Sequence, residues 1–89
     1  MSEPEPWHVR LRRLREARGM SRTQLAGACR ALGRRSERDD IRHYEAGYHE
    51  PRVHTFAALA RALGVSMEAL LYGEEKAARI AQERASSSR

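Results

Sequence analysis

The chain has 89 residues, 40% hydrophobic and 33% charged, which suffices for one small domain but excludes a catalytic domain joined to a regulatory one. Seventeen lysines and arginines oppose 12 acidic residues, and all but one of these cations are arginines, so a polyanion is the first partner to test. Genome composition alone remains an alternative source of this bias. One cysteine excludes an internal disulfide framework, and no apolar stretch is long enough for a membrane span, so we expect a cytoplasmic protein.

The first third of the chain predicts a lead and two helices. Residues 1–6 contain two prolines and two glutamates and are expected to be disordered. Apolar residues then recur at helical spacing up to Gly19 and again up to Gly33, two glycines that suit left-handed C-caps. Ser21 and Gln24 fit a capping box at the start of the second run. The two helices are predicted over about 7–18 and 22–32.

Three shorter apolar runs follow. Ile41 and Tyr44 lie three residues apart and precede Gly47, which indicates a short third helix. The fourth run ends at Gly64, and Ser66 suits the N-cap of a short fifth helix. No stretch alternates apolar and polar residues for long enough to predict a strand, so the fold class is all-α. The third and fourth helices are predicted near 37–46 and 53–63.

The last part of the chain is polar. Residues 74–85 are strong helix formers with Ile80 as their only large apolar residue, which predicts either a frayed helix or an arm that awaits a partner. The serine-rich end, 86–89, is expected to be disordered. The predicted organisation is therefore a lead over 1–6, one domain over 7–73, and an arm over 74–89 that is partly helical and then disordered.

Three short segments occur in an order and spacing typical of one family. They are LREARGMSRTQLA at 14–26, IRHYEAG at 41–47 followed by Pro51, and LARALGVS at 59–66. Together they resemble the lambdoid phage repressor and Cro family of helix-turn-helix proteins, also called the xenobiotic response element family. The resemblance implies a five-helix domain in which helices two and three form the helix-turn-helix, with helix three in the major groove.

The resemblance also implies where DNA contacts would lie. Helix three would present side chains to the bases, while the start of helix two and the loop after helix three would meet phosphates. The base-reading candidates are Arg38, Asp39, Arg42 and His43. The phosphate candidates, which include two arginines of the long turn, are Ser21, Arg22, Arg34, Arg35, Tyr48, His49 and Arg52.

Two features depart from the family pattern. The segment between Leu25 and Ile41 is several residues longer than the usual motif, so either helix two is extended or the turn is enlarged into an arginine-bearing loop. Asp39 and Asp40 place carboxylates at the groove-facing start of helix three, where phosphates would repel them unless one accepts a hydrogen bond from a cytosine amine. The alternative is that both simply favour a helix N-terminus.

The remaining polar residues indicate structural roles. Arg15 and Glu45 match a family pair that forms a partly buried salt bridge between helices one and three. Cys29 shares a helix face with leucines and is expected to be a small buried residue. The histidines are too widely spaced for a metal site, and no phosphate loop, nucleophile elbow or paired-carboxylate motif occurs. We therefore expect no enzyme, no metal and no cofactor.

These observations predict a small transcriptional regulator that binds double-stranded DNA as a homodimer on a two-fold operator. The pairing surface is expected at helix five and residues 74–85, a region that could also receive a protein partner. The alternative is a protein-interaction adapter on the same fold, in which the carboxylates of Asp39 and Asp40 prevent helix three from binding in the major groove. An antitoxin that binds both a toxin and its own promoter lies between these two hypotheses.

Overall fold

The computed structural model describes residues 5–87, and within them the chain forms six α-helices and no strand. The all-α class is therefore confirmed. The first four helices begin and end within one residue of the bounds predicted for them, the fifth begins directly after Ser66 as expected, and the sixth lies in the arm. The helices are α1 Trp7–Ala17, α2 Arg22–Ala31, α3 Arg38–Ala46, α4 Val53–Leu63, α5 Met67–Tyr72 and α6 Glu74–Ser87.

Side-chain caps and glycines set the helix ends. The Ser21 hydroxyl accepts a hydrogen bond from the Gln24 amide at 3.0 Å, and the Gln24 side chain accepts one from the Ser21 amide at 2.7 Å. Ser66 caps α5 with its hydroxyl in the same way. Gly47 and Gly64 close α3 and α4 with φ angles of +79° and +73°. Because these angles strain any residue with a Cβ, glycine stops both helices at defined points.

The core lies where α1 to α5 converge. Trp7 packs against Phe56 at its edge, with ring centroids 5.6 Å apart. Cys29 is fully buried, as expected, and burial raises the pKa of its thiol. Burying each large aliphatic side chain stabilises the fold by about 1.5–3 kcal/mol. The large aliphatic residues with almost no exposed surface are Leu11, Leu25, Ile41, Leu59, Leu63 and Leu70.

The segment between α2 and α3 is an enlarged turn over 32–37, rather than a continuation of α2 to the start of α3. Its backbone is held by Arg30, whose Nη1 donates to the Ser36 carbonyl at 2.6 Å. Arg34 donates from Nε and Nη2 to the Thr55 hydroxyl of α4, both at 3.4 Å. These contacts fix the arginine-bearing loop against the body of the protein.

A buried arginine that the sequence did not single out joins α1 to α5. Arg10 donates from Nη1 to the carbonyls of Leu70 and Leu71, at 2.9 and 3.2 Å, and from Nη2 to the Glu5 carbonyl at 2.6 Å. A cation suits the carboxyl end of α5, where the last carbonyls lack helical partners. Residues 1–4 of the predicted lead lie outside the described residues, whereas Glu5 is held by this contact.

The arm forms α6, which packs on α5. Arg84 pairs with Glu68 at 3.1 Å, and the Lys76 ammonium lies 5.2 Å from the centre of the Tyr72 ring. The helix extends two residues into the segment 86–89 that was expected to be disordered, because no glycine or proline interrupts it after residue 74. Residues 88–89 lie outside the described part. No helix described here is long and apolar enough to cross a membrane.

Candidate nucleic-acid interface

The third helix has one buried and one exposed face. Ile41 and Glu45, four residues apart, lie on the buried face. The sequence-predicted base readers lie on the outer side, where Arg38, Asp39 and Arg42 are exposed and His43 is half-buried. This division follows from the helical period, because residues four apart share a face and those between them turn outward. The four candidates thus lie on a polar outer surface of α3, whose opposite face is buried.

The two carboxylates at the start of α3 have different surroundings. Asp40 accepts a hydrogen bond from the Glu37 amide at 2.9 Å, so it satisfies an otherwise unpaired amide at the helix N-terminus. Asp39 instead lies 3.6 Å from Nε of Arg42, whose Nη2 lies 3.4 Å from Nε2 of His43. Asp40 therefore acts at the helix N-terminus, whereas a neighbouring guanidinium offsets the charge of the exposed Asp39.

Arg38 lies at the first position of α3 and is exposed. Within the part of the chain that the structure describes, its side chain makes no hydrogen bond or ion pair. Its guanidinium is thus available for the bidentate contact that arginine makes with guanine O6 and N7. The observed partner of Asp39 is Arg42, so Asp39 does not hold Arg38 in this structure.

The structure brings Arg15 and Glu45 together, as the family resemblance implied. Nε of Arg15 donates to Oε2 of Glu45 at 2.6 Å, and Nη2 donates to Oε1 at 3.1 Å, which makes a bidentate pair between α1 and α3. The third nitrogen, Nη1, donates to the Met20 carbonyl at 2.8 Å. The hydrogen bonds to Glu45 raise the pKa of Arg15 above its ordinary value, so the guanidinium keeps its proton.

The start of α2 also contacts this pair. Arg22 donates from Nε to Oε1 of Glu45 at 3.1 Å, and its side chain is 35% exposed. The Ser21 hydroxyl accepts a hydrogen bond in the capping box, so a phosphate at this helix N-terminus could still receive its O–H. The predicted phosphate contact at α2 and the predicted structural pair are therefore one connected cluster.

The loop after α3 folds back beside the polar outer surface of α3. The His43 ring lies 5.6 Å from the His49 ring and 6.1 Å from the Tyr48 ring, measured between centroids. Tyr48, His49 and Arg52 are all exposed. A cleft of about 290 Å³ separates this loop from α3 and reaches Thr55 of α4. The base-reading and loop candidates thus meet at His43.

The long turn contributes the last two candidates, and they differ. Arg34 is half-buried against Thr55, as described above, whereas Arg35 is exposed and makes no polar side-chain contact among the described residues. Arg35 is therefore the arginine of this turn that is free to meet a phosphate. Arg34 would first have to give up its hydroxyl contact.

His8 makes a contact that was not predicted from the sequence. Its Nδ1 lies 3.3 Å from the Glu45 carbonyl, and its ring packs so closely on Gly47 that a Cβ there would approach it to 3.3 Å. His8 precedes Arg15 by two helical turns, so both lie on the same face of α1. The spacing between His8 and Arg15 was the sequence feature that could have predicted this contact. The carboxyl end of α3 is thus held by α1 at two points.

Groups of acidic, histidine or cysteine residues that could hold a metal ion do not occur among the described residues. The polar clusters found there are instead pairs of a cation with a carboxylate, or stacked rings, as at His43. What this geometry provides is a set of hydrogen-bond donors on one helix and two loops. Such a set suits recognition of an anionic partner.

A family model described as a helix-turn-helix domain matches residues 9–71. The chain belongs to this family. The match covers α1 to α5 almost completely and leaves α6 outside, so the family assignment rests on the body formed by the first five helices. The resemblance to lambdoid repressors inferred from the sequence is confirmed.

Two solved structures show the same fold. One is the P22 c2 repressor in complex with synthetic operator 9T in the presence of Tl⁺; it is 23% identical, with a TM-score of 0.70 over 79% of this chain and 98% of that chain. The other is the clp gene regulator ClgR from Corynebacterium glutamicum, 26% identical, with a TM-score of 0.66 over 90% of this chain and 82% of that chain. None of the curated proteins matches the sequence.

Proposed function

We propose that the protein is a transcriptional regulator that binds a specific sequence of double-stranded DNA through α3. The observation that carries this proposal is the exposed polar face of α3 on a helix whose other face is fixed by Ile41 and Glu45. Membership of the helix-turn-helix family supports it, as do the two structural neighbours, one bound to an operator and the other a gene regulator. A net charge of +5 favours association with a polyanion.

The proposed base readers are Arg38, Asp39, Arg42 and His43. Arg38 would contact a guanine, and His43, one turn further along the exposed side, would contact the next base step. Asp39 would accept from a cytosine amine through Oδ2, because its contact with Arg42 involves Oδ1. The proposed phosphate contacts surround this surface and come from Ser21, Arg22, Arg34, Arg35, Tyr48, His49 and Arg52.

Selection from random duplexes at a stated salt concentration, followed by titration of the selected duplex, tests the proposal. We expect a clear sequence preference and a log affinity that falls steeply with log salt, by about 0.9 for each phosphate contacted. Arg38→Ala should relax the preference at one base pair by about 1–3 kcal/mol. Arg79→Ala, an exposed arginine of α6 that pairs with Glu75, is the matched control.

Two outcomes would contradict this function. Absence of sequence preference with a near-zero salt slope would favour the protein-interaction adapter. If Arg38→Ala and His43→Ala both leave the selected motif and the affinity unchanged, α3 does not read the bases. The arginine-bearing turn would then have to carry the binding, and Arg35→Ala would be the next variant.

We further propose that two copies pair to read a two-fold operator, with the pairing surface at α5 and α6. An apolar groove of about 610 Å³ lies between α6 and the body, and Val53, Leu71 and Tyr72 of its lining are exposed. An apolar surface of this kind suits an interface between proteins. A partner other than a second copy would use the same groove in the antitoxin hypothesis.

Sedimentation over a range of protein concentrations tests the dimer. We expect a dimer that Leu71→Lys weakens, and a selected motif with half-sites about 10 base pairs apart or a multiple of that. Val9→Lys, an exposed apolar residue outside the groove, is the control. A monomer at every concentration that binds a single half-site would refute the pairing.

A further inference from the structure

The carboxylate of Glu45 contacts two arginines that come from different helices. Arg15 of α1 holds both of its oxygens, and Arg22 of α2 contacts Oε1. The Glu45 side chain is only 2% exposed, so this contact joins the buried side of α3 to the start of α2. Two guanidinium groups and one carboxylate leave the cluster with one surplus positive charge.

That surplus charge lies on Arg22. Arg15 is almost buried, and each of its three nitrogens already donates a hydrogen bond, so its guanidinium is fixed in place and shielded from a new partner. Arg22 uses only Nε. Its two terminal amino groups make no hydrogen bond within the described residues, and the side chain is about one-third exposed. A guanidinium held at Nε keeps its planar pair of terminal amino groups free for one bidentate anion contact.

We propose that Glu45 is a positioning residue that fixes Arg22 for a phosphate contact. In this arrangement the same carboxylate holds the reading helix to α1 and sets the direction of the cation at the start of α2. The distance between a phosphate bound by Arg22 and the bases under α3 is then defined by one side chain. Because an unconstrained arginine loses rotamer entropy when it binds, a preset one binds more tightly. This inference rests on the proposed function, since it requires a nucleic-acid backbone at α2.

A double-mutant cycle on binding of the selected duplex tests the role of Glu45. Glu45→Gln keeps the shape but replaces one carboxylate oxygen by an amide group that cannot accept. At Oε1 this removes the contacts with Arg22 and with Nη2 of Arg15, and at Oε2 it removes the contact with Nε of Arg15 and leaves Arg22 held by a neutral oxygen. We expect Glu45→Gln to lower the affinity about three- to tenfold when Arg22 is present. In the Arg22→Ala background the same change should leave the affinity unchanged within about twofold.

The alternatives predict other patterns in this cycle. If Glu45 acted only as a negative charge near DNA, Glu45→Gln would raise the affinity in both backgrounds. If it acted only by supporting the fold, the change would lower the affinity equally in both backgrounds. Either pattern overturns the inference. Circular dichroism at the binding temperature identifies any variant that is not folded.

A second variant keeps the inference testable if Glu45→Gln does not fold. Arg22→Lys retains the charge at a partly exposed position but lacks the planar pair of amino groups. We expect it to keep the salt slope of the unaltered protein and to lose affinity, whereas Arg22→Ala should lose affinity and reduce the slope by about 0.9. If lysine restores the full affinity, Arg22 acts as an unpositioned charge and the inference is wrong.

Failure of the inference is distinguishable from failure of the proposed function. If the unaltered protein shows no sequence preference and no salt dependence, the proposed function itself fails. If it binds the selected duplex and Arg22→Ala has the same affinity and slope as the Arg79→Ala control, DNA binding stands. In that case only the placement of a phosphate at Arg22 is refuted.

Discussion

Two helix junctions in this protein are each joined by an arginine–glutamate pair, yet they differ in what surrounds the charges. At the junction of α1 with α3, the side chains of Arg15 and Glu45 are 10% and 2% exposed. At the junction of α5 with α6, those of Arg84 and Glu68 are 71% and 31% exposed. Removing charges from water is costly unless hydrogen bonds satisfy them, and water screens exposed pairs. The first pair therefore constrains how α3 packs on α1, whereas the second pair adds little to the contact between α5 and α6.

The contacts around each pair show the same difference. Glu45 accepts from two arginines, while its own backbone carbonyl lies against His8. Arg84 and Glu68 have no comparable network in the described residues, and α6 rests mainly on the short helix α5. A buried ion pair holds α3, whereas the ion pair that joins α6 to α5 beside the groove is exposed. The expected effects of substitutions at these two places therefore differ in size.

The largest effect is expected at the buried pair. Arg15→Ala or Glu45→Ala should lower the free energy of unfolding by roughly 3–5 kcal/mol, because each leaves a buried charge without its partner. The joint replacement should cost much less than the sum of the two. Urea unfolding of the single and double variants measures this, and simple additivity would mean that the contact does not form in solution.

A glycine at the same junction provides the next test. Gly47→Ala places a Cβ at positive φ and within 3.3 Å of the His8 ring, whereas Gly64→Ala has the same positive φ with open space around it. We expect Gly64→Ala to cost about 1–2 kcal/mol and Gly47→Ala to cost more. Thermal unfolding of the two variants makes the comparison. Equal costs would show that His8 does not pack on α3 as described.

The free energy of unfolding at alkaline pH tests the burial of two titratable groups, Cys29 and Tyr44. Burial raises the pKa of Cys29 and of Tyr44, so each keeps its proton in the folded state at a pH where the unfolded chain loses it. The stabilisation that each raised pKa gives is complete below the ordinary pKa of the group, about 8.5 for cysteine and 10 for tyrosine. It is lost as pH rises towards the pKa of that group in the folded state. Stability should therefore fall above about pH 8.5, by at most about 1.4 kcal/mol per pH unit for one group.

Substitution separates the two titrating groups. Cys29→Ala should flatten the decline that begins near pH 8.5, and Tyr44→Phe the part above about pH 10. Urea unfolding at several pH values gives these slopes. A decline that is unchanged in both variants would mean that neither group is responsible.

The smallest effect is expected at the exposed junction. Arg84→Ala should change the free energy of unfolding by less than about 1 kcal/mol, because both members of its pair remain solvated when separated. Arg79→Ala, which breaks an exposed pair within α6, is the matched control. A loss at Arg84 as large as that at Arg15 would show that α6 is as firmly held as α3, and the contrast between the junctions would be wrong.

Local sequence signals were sufficient for the helices. The capping box at Ser21 and the glycines at Gly47 and Gly64 act through the backbone of a few neighbouring residues, so their effect is visible in a short segment. The helical period likewise assigned Ile41 to the core and His43 to the outer side. Two terminal expectations differ: Arg10 holds Glu5 of the lead, and residues 86–87 continue α6 because that segment contains no helix breaker.

Contacts between distant residues needed the tertiary structure. Arg10 reaches carbonyls 60 residues away, and nothing in its neighbours indicates that an arginine in α1 is buried. The conformation of the enlarged turn depends on Arg34 meeting Thr55. The partner of Asp39 on α3 was decided in the same way, since rotamers choose between Arg38 and Arg42 only after the helix is packed.

The sequence by itself therefore determined the family, the helix bounds and the two faces of α3, because each depends on residue types at fixed local spacing. The pairing of Arg15 with Glu45 followed from the family pattern, and the structure added Arg22 as a third member. That addition depends on the angle between α2 and α3 and on the burial of one carboxylate. Those quantities arise only when the helices pack, because a side chain acquires partners from other helices only in the folded chain.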